Sequence, residues 1–136
     1  MSQPKHTEDL ILLPGQMAVC QLPPNSSIPE WVVKSSFWSI TRTSMELSIV
    51  VPQKMVPANL PCEPGWRAFC FSGPLAFNQI GILARAVVPL AEAQVSVFVL
   101  STYDTDYLMV KENQLSTALV TLKSTGYRLS EETESP

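Results

Sequence analysis

Apolar residues in this chain come in short runs of up to four, separated by proline, glycine and polar residues. Such runs, rich in β-branched and aromatic residues, predict strands at 10–13, 16–22, 37–41, 47–51, 66–71, 95–100 and 107–110. Helical periodicity is clearest in two places. Over 78–92 the apolar positions Ile82, Leu83, Ala86, Val87 and Leu90 share a face, and over 111–124 Leu115, Leu119 and Leu122 do. Pro89 inside the first span predicts a kinked last turn or an early end. Gly126 supplies an end signal for the second, before a short strand at 127–129. A clipped helix is expected at 29–34, with a serine of the preceding Pro23–Ser27 loop as its cap. Pro52, Pro57, Pro61 and Pro64 mark a tight connector.

The pattern nearly repeats. Met17–Pro24 reads like Arg67–Pro74, and Thr41–Val50 reads like Ser101–Val110, in the same order. The first match is offset by 50 positions (Ala18 to Ala68, Cys20 to Cys70) and the second by 60 (Glu46 to Asp106, Val50 to Val110), so the first copy's helix is ten residues shorter. Strand, helix, two strands, helix, strand is the order expected of each copy. The fold class is therefore α+β, two ferredoxin-like βαββαβ units, each an antiparallel sheet with helices on one face. The first unit is expected over 10–62 and the second over 63–130, with loose tails at 1–9 and 131–136. A duplicated unit builds a seam, and small ligands and partners bind at seams.

Composition narrows the chemistry. The chain has 136 residues, 46% of them hydrophobic and 15% charged, enough apolar material for a core at this length. The net charge is −3 and no basic run exists, which argues against nucleic acid as partner. No apolar stretch approaches the ~18 residues of a membrane span, and Leu10–Leu13 is too short for a signal peptide, so a cytoplasmic protein is expected. Cys20, Cys62 and Cys70 are an odd count without CxxC spacing; Cys20 and Cys70 sit in apolar strand contexts, and the three read as buried reduced thiols, with a redox or metal role as the alternative. His6 is the single histidine, which removes most zinc sites and histidine-dependent triads, and no cofactor or metal is expected. Trp31, Trp38 and Trp66 read as core or seam aromatics. The carboxylates form no evident acid–base pair, so no enzyme activity is expected.

Asn78-Gln79-Ile80-Gly81-Ile82-Leu83-Ala84, followed by Pro89-Leu90-Ala91 and Val95-Ser96-Val97, resembles the signature of ACT domains, small βαββαβ modules that bind amino acids and regulate metabolic enzymes. Residues 37–51 with 65–110 look like the tandem ACT-like proteins related to the cytosolic arginine sensors of the TOR growth pathway and to bacterial two-unit ACT proteins. Residues 95–107 are the most specific stretch, with Ser101-Thr102-Tyr103-Asp104-Thr105-Asp106 as its core. The resemblance implies a non-catalytic amino-acid-binding regulatory or sensor module. The ligand would sit at the seam between units, with a protein partner or a homo-oligomer to read the change. The alternative is a ligand-free protein-interaction module on the same fold.

The residues expected to bind the ligand are Ala76, Phe77, Asn78, Gln79, Ile80, Gly81, Ile82, Ser96, Val97 and Asp106. Gly81 stands where a loop enters a helix, and free N–H groups there attract a carboxylate; its other reading is a packing glycine. Asp106 lies in a turn between two strands, immediately before an apolar run, and is placed to hold an ammonium or guanidinium, or simply to shape the turn. Ser96 and Val97 match a cleft-lining pair of the sensors, with plain strand packing as the rival. Asn78 and Gln79 occupy positions where the arginine sensors carry acidic residues. Neutral amides hold a guanidinium less well, so a neutral amino acid fits at least as well as arginine.

Overall fold

In a computed structural model, residues 9–72 and 81–133 are described. They form eight strands and three α-helices: β1 (Asp9–Leu12), β2 (Met17–Leu22), α1 (Glu30–Val33), β3 (Ser39–Arg42), β4 (Leu47–Pro52), β5 (Cys62–Phe71), α2 (Ile82–Glu92), β6 (Val97–Ser101), β7 (Asp106–Lys111), α3 (Leu115–Thr125) and β8 (Arg128–Glu131). The chain divides into two compact units, Gly15–Trp66 and the described parts of Met1–Pro14 with Arg67–Pro136. The division falls inside β5.

In the unit Gly15–Trp66 the strands lie in the order β3-β4-β2-β5, all neighbours antiparallel. That is the strand order of a βαββαβ module. Alternate residues of each strand face one side. Ala18 and Cys20 of β2 and Leu47, Ile49 and Val51 of β4 form the buried cluster, and α1 adds Val32. The place of the second helix is taken by one 3-10 turn, Gln53–Met55, between Pro52 and Pro57. The short α1 begins at Pro29 in extended backbone with no side-chain cap, so the expected serine cap is absent. Arg42 holds the preceding loop instead, donating from Nη1 to the Pro24 carbonyl and from Nη2 to the Ser26 carbonyl (2.8 Å).

β5 begins four residues earlier than its apolar run, at Cys62, and passes through Pro64 and Gly65 without stopping. The register shows how. Trp66 pairs Met17 while Glu63 pairs Val19, so β5 carries one extra residue there. This is a β-bulge, and Gly65 takes the positive φ (+81°) that it requires. The Gly65 N–H donates to Gln53 Oε1 (2.7 Å), which ties the bulge to the 3-10 turn.

The other unit has the strand order β6-β7-β5-β1-β8. A βαββαβ module places its fourth strand beside its first. Here β1 is inserted between them: it pairs β5 antiparallel and β8 parallel. Residues 10–13 therefore belong with the C-terminal unit, not with the first unit over 10–62. Asp9, expected in a tail, opens β1 and accepts from Arg128 Nε (2.7 Å) and Nη2 (3.2 Å). Glu131, also assigned to a tail, ends β8, and the Glu132 N–H donates to the Leu12 carbonyl (2.9 Å). The remainder of both expected tails, 1–8 and 134–136, lies outside the described residues. Leu10, Leu12, Phe69, Phe71, Leu108 and Val110 form the sheet side of the core. Ala86 and Leu90 of α2 and Ala118 and Leu122 of α3 cover them.

Helix α2 runs through Pro89 to Glu92 without ending early, because proline removes a single helical N–H donor while the Ala93 N–H still reaches the Pro89 carbonyl (3.0 Å). Helix α3 is preceded by a 3-10 turn, Glu112–Gln114, where a helix from Lys111 was expected. It ends at Gly126, in the left-handed region with φ +115°.

Candidate functional site

The two units can be compared through their hairpins. In one, Arg42 pairs Leu47 across a four-residue turn; in the other, Ser101 pairs Asp106 across a turn of the same length. The turns share a backbone bond, Thr43 N–H to the Glu46 carbonyl (2.9 Å) and Thr102 N–H to the Thr105 carbonyl (2.8 Å). The counterpart of Asp106 is therefore Leu47. The offset is 59, and the expected match of Glu46 to Asp106 is one residue out. The earlier match slips too: Ala18 and Cys20 lie in their unit's core cluster, whereas in β5 Phe69 and Phe71 do so and Ala68 and Cys70 do not.

The consequence is chemical. Leu47, Ile49 and Val51 form an inward-facing row. Asp106, Leu108 and Val110 have the same period, so Asp106 begins the corresponding row as a carboxylate where its counterpart is a fully buried leucine. Asp106 is half-buried. Ser101 Oγ donates to its Oδ1 (2.6 Å). One such bond uses one of about four acceptor positions of a carboxylate. The turn beneath it is well anchored. Thr102 Oγ1 donates to the Thr105 carbonyl (3.1 Å), and Thr105 Oγ1 donates to the Phe71 carbonyl at the end of β5 (3.0 Å).

Chain direction sorts the other expected residues. Gly81 precedes the first turn of α2 with φ +79°, and a side chain built on it would meet nothing within 4 Å. Its glycine identity therefore answers to backbone angle and not to crowding, and the packing reading falls away. From there α2 rises about 16 Å over its eleven residues. At its far end the Val95 N–H reaches the Leu90 carbonyl, and β6 runs back over about 13 Å. Gly81, Ile82, Asp106 and the Phe71 end of β5 thus share one end of this unit. Ser96 and Val97 lie at the other: Val97 pairs Val110, and the Ser96 N–H donates to Gln114 Oε1 (3.3 Å). Ile82 packs partly against the core. Ala76, Phe77, Asn78, Gln79 and Ile80 lie outside the described residues.

Ser101, Thr102 and Thr105 were not singled out as ligand residues; their signal is hydroxyls at both turn ends. Beside the turn, the Tyr107 phenol is pushed above its ordinary pKa, first by burial, then by Cys70, Glu132 and Asp104. The Cys70 thiol is also pushed up, by burial first, against a hydrogen bond with Tyr107 that acts the other way. Of the three tryptophans, Trp31 packs on the core of its unit and Trp66 is half-buried. Trp38 is 43% exposed, which removes it from the core. Among the described residues no cluster of His, Cys, Asp and Glu suits a metal ion, and no helix is long and apolar enough to cross a membrane.

The fold and its duplicated hairpins are those of ACT modules, and the sequence pattern of the ACT domain matches residues 62–124. A separate N-terminal-domain pattern matches residues 15–59. Residues 62–124 thus carry an ACT domain. The chain is similar to the cytosolic arginine sensor for mTORC1 subunit 1 of Bos taurus, 34% identical over 100 residues, which cover 65% of this chain and 30% of that protein. The match thus spans under a third of the length of that relative. A crystal structure of protein Atu0741 from Agrobacterium tumefaciens superposes with a TM-score of 0.88 at 35% identity, covering 96% of this chain and 97% of that one. The regulatory subunit of aspartate kinase from Thermus thermophilus shares the fold, with a TM-score of 0.57 at 8% identity over 81% of this chain and 91% of that one.

Proposed function

We propose that this chain is a non-catalytic regulatory module that binds a free amino acid, held at a seam between ACT-like units. The ACT domain over residues 62–124 and the similarity to arginine sensors support an amino-acid-sensing role. The observation that carries the finer reading is Asp106, a carboxylate on an inward-facing row at the end of the unit where α2 begins. The ligand's ammonium pairs with Asp106, and its carboxylate takes the N–H groups at the entry to α2, beside Gly81. Ala76, Phe77, Asn78, Gln79 and Ile80 stay ligand candidates from the sequence, whereas Ser96 and Val97, at the opposite end of the unit, act through packing at the start of β6. Binding shifts the packing of the units, and a protein partner or a second copy reads that surface.

Calorimetric titration of the folded chain with each of the twenty amino acids tests this. Heat from one or a few is expected, and Asp106→Asn should weaken that binding by about 10–100-fold, the worth of a charge-assisted bond. Silence from all twenty in a folded, monodisperse sample overturns it and leaves the interaction-module alternative.

A further inference from the structure

Cys20 in β2 and Cys62 at the start of β5 are directly opposed partners in an antiparallel pairing. Residues opposed in this way have Cα atoms about 4.5–5.5 Å apart. A disulfide spans roughly 4.4–6.8 Å between Cα atoms. Both side chains lie on the hydrophobic face of the unit Gly15–Trp66, Cys20 within its buried cluster and Cys62 packed against it. The two thiols are free, and Cys62 stands near enough to Cys20 to add to the rise of its pKa. Cys70 lies in the other unit with Tyr107 as its neighbour.

We propose that Cys20 and Cys62 are a redox-active dithiol that closes to a cross-strand disulfide when the protein meets a hydroperoxide. Exposure assigns the roles. Cys62 is partly open to solvent, whereas Cys20 is 1% exposed. Burial, with Cys62 beside it, pushes the Cys20 thiol up to about 11, so Cys20 stays protonated at neutral pH and waits inside. The Cys62 sulfur, as thiolate, attacks one peroxide oxygen. The O–O bond breaks, and the departing hydroxide takes up the proton that Cys62 released, leaving water and a sulfenic acid on Cys62. The Cys20 sulfur then attacks the Cys62 sulfur. The S–S bond forms, the S–OH bond breaks, and hydroxide leaves as a second water with the Cys20 proton. Two thiols lose two electrons, and one hydrogen peroxide becomes two waters. A small dithiol reverses the change by exchange.

The bridge pins β2 to β5 just ahead of the bulge at Pro64 and Gly65, on the strand that leads out of this unit. The proposal does not depend on amino-acid binding, and its test uses no ligand. The full chain is treated with a small excess of hydrogen peroxide, its remaining thiols are alkylated, and intact mass and a peptide map are read. Two of the three thiols are expected to disappear together, with Cys20 and Cys62 linked within one chain and both restored by dithiothreitol. In Cys62→Ser, Cys20 is expected to stay open to alkylation after unfolding. A bridge through Cys70, or Cys62 driven to sulfinic acid while Cys20 still alkylates, overturns the proposal. So does survival of all three thiols under peroxide that oxidises free glutathione. The map is made on the unsubstituted protein, so it stands whether or not the variant folds.

Discussion

Asp106 is where the two units differ in kind at one residue. Its counterpart Leu47 is wholly buried, and an inward carboxylate is worse for packing than a leucine. Asp106→Leu, which copies the other unit, should raise the melting temperature by a few degrees while abolishing amino-acid binding. Differential scanning fluorimetry with and without the amino acid found by titration reads both effects. A second residue effect concerns backbone. Gly81→Ala should cost about 1–2 kcal/mol in a denaturant titration, because φ +79° is left-handed and no neighbouring atom resists the methyl. A third concerns pH. The Cys20 thiol ionises at about 11 in the fold against 9.0 unperturbed. Between those values the unfolded chain has released a proton that the folded chain keeps, so stability is full below pH 9 and falls as pH rises to 11. The loss is of order 2 kcal/mol, and Cys20→Ala should flatten it in melts across that range.

Among the elements, α2 and β5 carry the most consequence for the site. Helix α2 presents Gly81 at one end and buries Ala86 and Leu90 against β5 and β7 residues. Leu90→Ala, far from the ligand end, should cost about 2–5 kcal/mol through the cavity it leaves, seen as a lower denaturant midpoint. Helical periodicity showed this helix in the sequence, since packing on a sheet demands an apolar face every three to four residues. Its proline did not end it, because a single lost hydrogen bond near the last turn is outweighed by the burial of Leu90. β5 was only half legible. Pro64 and Gly65 carry the letters of a strand break, yet their positions opposite β2 make them a bulge. Whether such a pair breaks a strand or bends it depends on the partner strand, which local sequence does not specify.

For the molecule as a whole, the α+β class, the order of elements and the doubling were legible, because each rests on local periodicity and turn residues. The alignment of the copies was not. Ala-x-Cys occurs in both β2 and β5, but on opposite faces relative to the core, and a slip of one residue turns every side chain of a strand over. The place of β1 was not legible either, because a four-residue apolar strand carries no label for its partners. Of the expected ligand residues, Gly81 and Asp106 were chosen for their places at element ends, and both lie at one end of their unit. The separation of Ser96 and Val97 from them follows from the hairpin register, which needs the pairing itself.

The inserted strand has its own prediction. A chain starting at Gly15 should lose the cooperative melt of the unit built on β5–β8, since Leu10 and Leu12 leave its core and β8 loses its neighbour. Circular dichroism melts of the two lengths compare this directly. During synthesis β1 is made long before either of its neighbours: Leu12 waits for Phe69, and then for Glu131. Until translation of those segments is finished, the Asp9–Leu12 strip emerges from the ribosome greasy and unmatched. This strip is therefore made before both of its partners and settles after them, and a nascent-chain chaperone would find its handhold there.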